Sequence, residues 1–484
     1  MKKALFLILT LLLSSFLSIG QSKIEQLDNL LGLYSEYGQF NGSVLVAHQG
    51  KTIYKKGFGF ANLEWNVPNK PDTKFRIGSL TKQFTAMLVM QLVEQGKLEL
   101  NAPISNYLPN YPKPNADSVT IHHLLTHSSG IVNYTEIRSL QGNLNLHRYK
   151  PDEFVQFFSD STLQFKPGTK FSYSNSGYFL LGLIIEKVTN KSYEQLLKEN
   201  ILVPLKMNNT GYDHHRTILK NRASGYQRKW NGTVLLNAPY LDMSVPYAAG
   251  AIYSTVEDLF LWDQALYTHQ LLSKENTELL FKEHIQTESN HYGYGWGIAN
   301  VSLGESDDRI KVATHGGAIN GFHTLIMRNL ADRSLIVLLN NTGRQPLDEI
   351  NRAILGILYD KSHSLPTLSL ANTLFEVINE QGISEGLKHF EKAKNSKEYL
   401  LKEDEMNIIG YRLLQARMNK EAIEVFKLNV SSFPNSGNVY DSLGEAYMID
   451  GNKELAIKNY KKAVELDPTN SNGIETIKKL QSNK

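Results

Sequence analysis

The sequence predicts two structural units of different class: an α+β unit over most of the chain, then an all-α unit at its end. Three observations carry this. Apolar runs of strand length lie near both ends of residues 22–361, with helical patterns between them, so one sheet is built from both ends. From residue 370 onward the pattern is helical throughout, and an internal similarity returns at a spacing of about 34 residues. The 484 residues are 41% hydrophobic and 20% charged, the balance of a globular chain with a sizeable core.

Charge and cysteine content exclude several classes. Lys and Arg number 51 and Asp and Glu 48, a net +3 that gives no argument for nucleic acid or an anionic membrane surface. There is no cysteine, so neither a disulfide nor a thiol-linked lipid can form.

The first segment, "MKKALFLILTLLLSSFLSIGQS", has Lys2 and Lys3, an apolar run from Ala4 to Ile19, and small residues at Ser18 and Gly20. This predicts a signal peptide over residues 1–21, cleaved near residue 20, and an exported protein, periplasmic or secreted. A retained N-terminal anchor is the alternative. The run is short for a bilayer span of about 20 residues, and Ser14, Ser15 and Ser18 interrupt it.

Residues 22–361 form the α+β unit. Ser43–Ala47 and Thr52–Phe58 read as strands joined at His48-Gln49-Gly50. An amphipathic helix runs from Ser79 to about Gly96. "IHHLLTHSSGI" (Ile121–Ile131) is a short helix entering a Ser-Ser-Gly loop. Pro167-Gly168 marks a turn, followed by a polar loop and an apolar helix over Gly177–Val188. "ATHGGAINGFHTLIMRNL" (Ala313–Leu330) and "RSLIVLLNN" (Arg333–Asn341) read as two adjacent strands, and Leu347–Lys361 as a closing amphipathic helix. Residues 362–369 read as a linker and 370–484 as helical pairs. Tyr440, Leu443, Gly444, Tyr447, Ala456, Tyr460, Ala463 and Pro468 correspond, one repeat earlier, to Met406, Ile409, Gly410, Leu413, Ala422, Phe426, Asn429 and Pro434. This resembles the tetratricopeptide repeat, with small residues where helices cross and large ones in the groove between them. Residues 370–399 read as a further, atypical pair. Such repeats imply a protein or peptide partner.

The chemistry is concentrated in three short motifs. Ser79 and Lys82 lie three residues apart at a helix entry, which puts both on one face. A serine there meets the positive end of the helix, and a lysine one turn on, screened from water, has a lowered pKa and can take or relay a proton. Tyr173 and Asn175 in "FSYSNSGY" share one side if that stretch is extended. His315, Gly316 and Gly317 in "THGGAING" place glycines inside a strand, where something approaches the backbone closely.

Ser79-Leu80-Thr81-Lys82, Tyr173-Ser174-Asn175 and His315-Gly316-Gly317, in that order, resemble the motifs of the penicillin-recognising serine hydrolases. The similarity is closest to the class C β-lactamase branch with its D-alanyl-D-alanine peptidases, D-aminopeptidases and esterases. It extends from about Phe40 to Leu358, and Ile121–Ile131, Ala248–Trp262 and Tyr292–Ile298 are also similar to segments of that branch. The resemblance implies a β-lactamase-like fold, an antiparallel sheet flanked by helices with a helical subdomain. It implies that Ser79 forms an acyl-enzyme, that Lys82 and Tyr173 handle its proton with Tyr173 as base on attack, and that Asn175 binds substrate. His315, Gly316 and Gly317 would line the substrate site, and the N–H groups of Ser79 and Ala318 would form the oxyanion hole. No cofactor or metal is implied.

The third motif departs from the Lys-Thr-Gly common in the family by carrying His315. A histidine lacks the permanent charge that a lysine offers a substrate carboxylate. This predicts a hydrolase of esters or of amide or peptide bonds, acting on a small molecule or peptide. A class C-like β-lactamase or D-alanyl-D-alanine carboxypeptidase is the alternative, and a slow penicillin-binding or partner-binding scaffold is an alternative of another class. His315 is expected to hydrogen-bond the Tyr173 phenol or the substrate. His122, His123, His127, His214 and His215 read as structural, because the glutamate of a zincin helix is missing.

Overall fold

The computed structural model describes residues 23–113, 115–138, 144–228 and 234–482. The expected signal peptide lies outside these described residues. The described residues divide into two compact units, one drawn from residues 23–227 and 235–365, the other comprising 228, 234 and 366–482.

The first unit is built on an eight-stranded antiparallel sheet: β1 (Gly42–His48), β2 (Lys51–Phe58), β3 (Ile285–Gln286), β4 (His291–Tyr292), β5 (Gly297–Ser302), β6 (Arg309–Ile319), β7 (Phe322–Asn329) and β8 (Ser334–Asn340). Its spatial order is β3-β4-β5-β6-β7-β8-β1-β2, so β8 from the end of the unit pairs with β1 from its start. Every residue of β8 is buried, which is why it reads as a continuous apolar run: both faces are covered. Leu335, Val337 and Leu339 join one core with Leu45 and Ile326, and Ile336 and Leu338 join the other with Val44, Val46 and Met327. This period of two assigns each face its helices. α1 (residues 23–36) contributes Leu27, Leu30 and Leu31 to the second core. α2 (Thr81–Glu94) and α3 (Asn175–Thr189) contribute Phe84, Met87, Tyr178 and Leu181 to the first, and α4 (Leu347–Leu358) adds Ile350 and Ile354 to the second.

Three local readings change. The stretch Ala313–Leu330 is two strands rather than one. Ile319 pairs with Phe322 across the two-residue turn Asn320-Gly321, and Gly321 adopts φ +80. An Asn-Gly pair between apolar runs is a turn signal that the surrounding β-pattern conceals. Ser79 precedes the α-helix, in a three-residue 3₁₀ turn (Gly78–Leu80) entered through Gly78 at φ +53. Asn175 opens α3 with Ser174 as its N-cap, so Tyr173 and Asn175 lie across a loop-to-helix junction, not along an extended segment.

The second unit consists of α5 (Leu370–Gln381), α6 (Ile383–Ala393), α7 (Glu403–Gln415), α8 (Asn419–Ser432), α9 (Gly437–Ile449), α10 (Lys453–Leu466) and α11 (Ser471–Ser482). A Cβ at Gly410 would fall 2.5 Å from the Phe426 ring, and one at Gly444 would fall 3.1 Å from the Tyr460 ring. The glycines of the repeat are thus the points where paired helices touch. Within the stretch read as linker, Leu368 and Ser369 pair in parallel with Tyr399 and Leu400, and Ser369 caps α5 by accepting from the Asn372 N–H. Those two residues are therefore part of the helical unit.

What positions the Ser79 turn is a backbone contact. A Cβ at Gly317 of β6 would lie 2.1 Å from the Ile77 carbonyl oxygen, which accepts a hydrogen bond of 2.9 Å from Thr324 Oγ1. At neighbouring Gly316 the nearest atom to such a Cβ is the Thr324 carbonyl oxygen, 3.8 Å away. Gly317→Ala is therefore expected to cost about 1–3 kcal/mol through overpacking and to move the Ser79 turn, while Gly316→Ala changes stability little. Thermal melts of the two variants check this, and equal midpoints would contradict it.

Candidate active site

Lys82 is a buried lysine, 0% exposed, on the first turn of α2. Its Nζ lies 3.1 Å from Ser79 Oγ, 2.8 Å from Asn175 Oδ1 and 2.9 Å from the Ala249 carbonyl oxygen. The carbonyl arrives through close packing. A Cβ at Gly182 of α3 would overlap Ala248 Cβ at 2.4 Å, so α3 seats directly on the turn Tyr247–Gly250. Thr85 Oγ1, one turn along α2 from Lys82, donates to the Ala248 carbonyl at 2.6 Å. Three elements of separate sequence origin therefore converge on one amine.

Burial pushes the Lys82 pKa well below that of an ordinary lysine. The partner count fits the neutral form. An –NH₂ group has two N–H donors, matched by the Asn175 and Ala249 oxygens, and one lone pair, left for the Ser79 O–H. The Ser79 hydroxyl is near enough to the Tyr173 phenol to act on its pKa, and Lys82 Nζ sits 4.9 Å from the centre of its ring. Burial raises the phenol's pKa, and the Ser79 hydroxyl only partly offsets this. The amine is thus disposed to be uncharged and the phenol to keep its proton.

Ser79, Asn175, Ala249 and Ala318 border a cleft of about 270 Å³. Its walls include Leu144, Leu241, Val245, Pro246 and Ile319, and no charged side chain lines it among the described residues. Gly78 brings the turn against β6: a Cβ there would be 3.0 Å from the Ala318 nitrogen. The backbones of Ser79 and Ala318 thus border the same space. A larger hollow of about 750 Å³, lined by Tyr149, Glu194, His214 and Arg216 among others, contains none of these residues, and the chemistry is assigned to the smaller cleft because Ser79 opens into it.

His315 does not meet its expectation. It is buried, its Nε2 lies 2.9 Å from the Tyr292 hydroxyl, and its Nδ1 lies 2.6 Å from the Gly316 carbonyl oxygen. A carbonyl only accepts, so Nδ1 carries the proton and Nε2 accepts from Tyr292. Neither nitrogen is left for the Tyr173 phenol, whose ring centre is 6.2 Å from that of His315. Burial, with help from Lys82, brings the His315 pKa down to about 4 against the pull of Gly316. Gly317 serves the backbone contact described above, Gly316 accepts from His315 Nδ1 through its carbonyl, and the neighbouring Ala318 lines the cleft.

His122 and His123 are hydrogen-bonding residues: His122 Nδ1 lies 2.8 Å from the Tyr294 hydroxyl, and His123 Nδ1 accepts from the Thr120 N–H. Sequence reasoning passed over four contributors to the site. Ala249 acts through its carbonyl, which no side-chain pattern reveals. Tyr178, Tyr292 and His127 form the wall behind Tyr173, with ring centres 4.2–5.0 Å from that of His127 to Tyr173, Tyr178 and Tyr292. Tyr292 opens a segment similar to the family's, and the sequence gives His127 a structural reading without a partner.

Comparison with known proteins agrees with this geometry. The Beta-lactamase family model matches residues 23–359, and a Tetratricopeptide repeat model matches residues 437–470. Penicillin-binding protein 4* of Bacillus subtilis (strain 168) is 30% identical over 365 residues, covering 72% of this chain and 78% of that protein. Among solved structures, the octameric penicillin-binding protein homologue from Pyrococcus abyssi superposes with a TM-score of 0.62 at 30% identity, covering 73% of this chain and 82% of that one. The D-amino acid amidase from Ochrobactrum anthropi SV3, complexed with D-phenylalanine, superposes with a TM-score of 0.60 at 25% identity, covering 69% and 99%. The chain belongs to the beta-lactamase family, as a serine hydrolase of the penicillin-recognising type that carries a tetratricopeptide repeat near its C-terminal end.

Proposed function

We propose that the protein hydrolyses uncharged carboxylic esters with a short apolar acyl group, through an acyl-enzyme on Ser79. The observation that carries this is the cleft without a charged side chain among its described lining residues, with Leu144, Leu241, Val245 and Ile319 in its walls and no cation at the position of His315. β-Lactams and D-alanyl-D-alanine peptides present a carboxylate, and a free D-aminoacyl group presents an ammonium. Neither finds a counter-charge among the described lining residues.

The arrangement supports a specific proton path. Lys82, as a neutral amine, takes the Ser79 proton while Oγ attacks the substrate carbonyl. The N–H groups of Ser79 and Ala318 hold the oxyanion. As the carbon–oxygen bond to the leaving group breaks, Tyr173 gives its phenolic proton to the departing oxygen, and the Lys82 ammonium returns a proton to the phenol. Water then repeats the sequence in reverse and frees the acid. This gives Tyr173 the acid's part and moves the base on attack from Tyr173 to Lys82. Asn175 holds Lys82 in line through Oδ1 and borders the acyl group. The proposal extends to export, supported by the Lys2-Lys3 pair and the apolar run behind it, and to a protein or peptide partner for the repeats.

Three outcomes are expected. Ser79→Ala lowers ester hydrolysis by several orders of magnitude, and a fluorophosphonate adds one adduct to the wild type, on Ser79, by intact mass and peptide mapping. Labelling elsewhere would refute the nucleophile.

The pH profile follows from the two shifted groups. Only the uncharged amine is active, so kcat/KM rises with pH as Lys82 loses its proton, well below its ordinary 10.5. Only the protonated phenol is active, and its pKa is raised above 10.0, so no descending limb is expected below pH 10. His127 and His315 are already neutral at pH 6.5 and do not supply the ascending limb. A descending limb below pH 10 that Tyr173→Phe abolishes would overturn these roles.

Selectivity is the third. A charge-assisted bond to a carboxylate contributes about 1.5–3 kcal/mol, so its absence predicts kcat/KM for p-nitrophenyl butyrate above that for nitrocefin by about 10- to 100-fold. Faster nitrocefin hydrolysis would place the enzyme with the β-lactamases.

A further inference from the structure

His127 is used by no step above, yet it is held at a cost. It is 1% exposed and adopts φ +56, a left-handed conformation that a non-glycine residue keeps only where its surroundings enforce it. Glycine or asparagine would fit that backbone more easily, so what the imidazole touches has to account for it.

What it touches is the chain on both sides of Tyr173. The His127 carbonyl accepts the Ser172 N–H at 2.8 Å. The His127 Nδ1 accepts the Ser174 N–H at 3.1 Å. Between these two bonds the imidazole lies along the Tyr173 ring, centres 4.2 Å apart and planes 33° apart. One residue therefore fixes the backbone before Tyr173, the backbone after it, and the side chain itself. Because Nδ1 accepts, Nε2 carries the proton, and that nitrogen is buried without a hydrogen-bond partner among the described residues. The faces of His127 are closed by Phe171, Tyr178 and Tyr292. Tyr292 in turn donates to His315, so the residue in place of the family's lysine buttresses the same wall.

We propose that His127 is the positioning residue for the Tyr173 phenol, a clamp that sets its hydroxyl at Ser79 and at the leaving group without itself exchanging a proton in the reaction. The pairing of an imidazole acceptor with a left-handed backbone explains why this position carries histidine, since glycine would satisfy the backbone but neither hold the Ser174 N–H nor support the ring. This rests on the reading of Tyr173 as the acid toward the leaving group.

That reading supplies a test that a general loss of structure cannot mimic. A p-nitrophenolate leaves without help, whereas an alkoxide must be protonated. General-acid assistance is worth about a hundredfold or more. Kinetics of wild type, Tyr173→Phe, His127→Ala and His127→Asn are compared on p-nitrophenyl butyrate and ethyl butyrate. His127→Ala is expected to lose about a hundredfold in kcat on the ethyl ester, about tenfold or less on the p-nitrophenyl ester, with KM little changed. His127→Asn keeps an acceptor at the δ position and suits the left-handed backbone, so it should recover part of the ethyl ester activity. It also gives a folded variant if His127→Ala does not fold, and it should then still show the excess loss on the ethyl ester. Equal losses on the two esters in the folded histidine variants overturn the clamp. If Tyr173→Phe retains the difference in that case, the acid reading stands without His127; if Tyr173→Phe also loses both equally, the acid reading falls as well.

Discussion

The active site depends on one buried amine. Placing a lysine at zero exposure is unfavourable unless its nitrogen is fully paired or uncharged. The three oxygens around Lys82 Nζ come from the 3₁₀ turn before α2, the first residue of α3 and the turn Tyr247–Gly250. Loss of the Asn175 or Ala249 oxygen would leave a buried donor unmet, and loss of the Ser79 hydroxyl would leave the lone pair unmet. The close seating of α3 on that turn at Gly182, and the hydrogen bond from Thr85 to Ala248, are therefore parts of the same requirement. So is the approach of β6 to Ile77 at Gly317, which holds the turn from the other side. The catalytic geometry is a consequence of packing around a polar atom that water cannot reach.

His315 changes the electrostatics of this arrangement more than its shape. A lysine in that place would add a second cation close to Lys82. The neutral histidine instead spends both nitrogens internally, on Tyr292 and on Gly316, and among the described residues leaves Lys82 as the basic group at the serine. With no cation among the described residues acting on its pKa, ionising Tyr173 has little support, and burial opposes it. One substitution in the third motif therefore bears both on which residue takes the first proton and on which substrates are admitted.

Much of this was legible in the sequence. Ser79 with Lys82 could be read because their partnership is local, one turn of helix. The strands β1, β2 and β8 could be read from apolar alternation or from an unbroken apolar run, and the repeats from spacing alone. What was not legible depends on contacts across the fold. The Ala249 carbonyl carries no sequence signature. His315 looked available to the phenol because nothing in the sequence places Tyr292 beside it, 23 residues away. The hairpin between β6 and β7 was missed although Asn320-Gly321 announces it, since the flanking residues have the same β-character on both sides.

His127 shows the limit from another direction. In sequence it is one of three histidines in an apolar stretch, with no signal that sets it apart from His122 and His123. Its left-handed backbone and its two bonds around Tyr173 appear only in three dimensions. The two sides of the phenol are then supported differently. Ser79 and Lys82 face it with groups that exchange protons, whereas His127, Tyr178 and Tyr292 face it with rings whose protonation burial keeps fixed. Under the proposed mechanism the phenol gives up and regains a proton in each turnover, and a wall that does not titrate with it leaves the charge it sees to the lysine and the substrate.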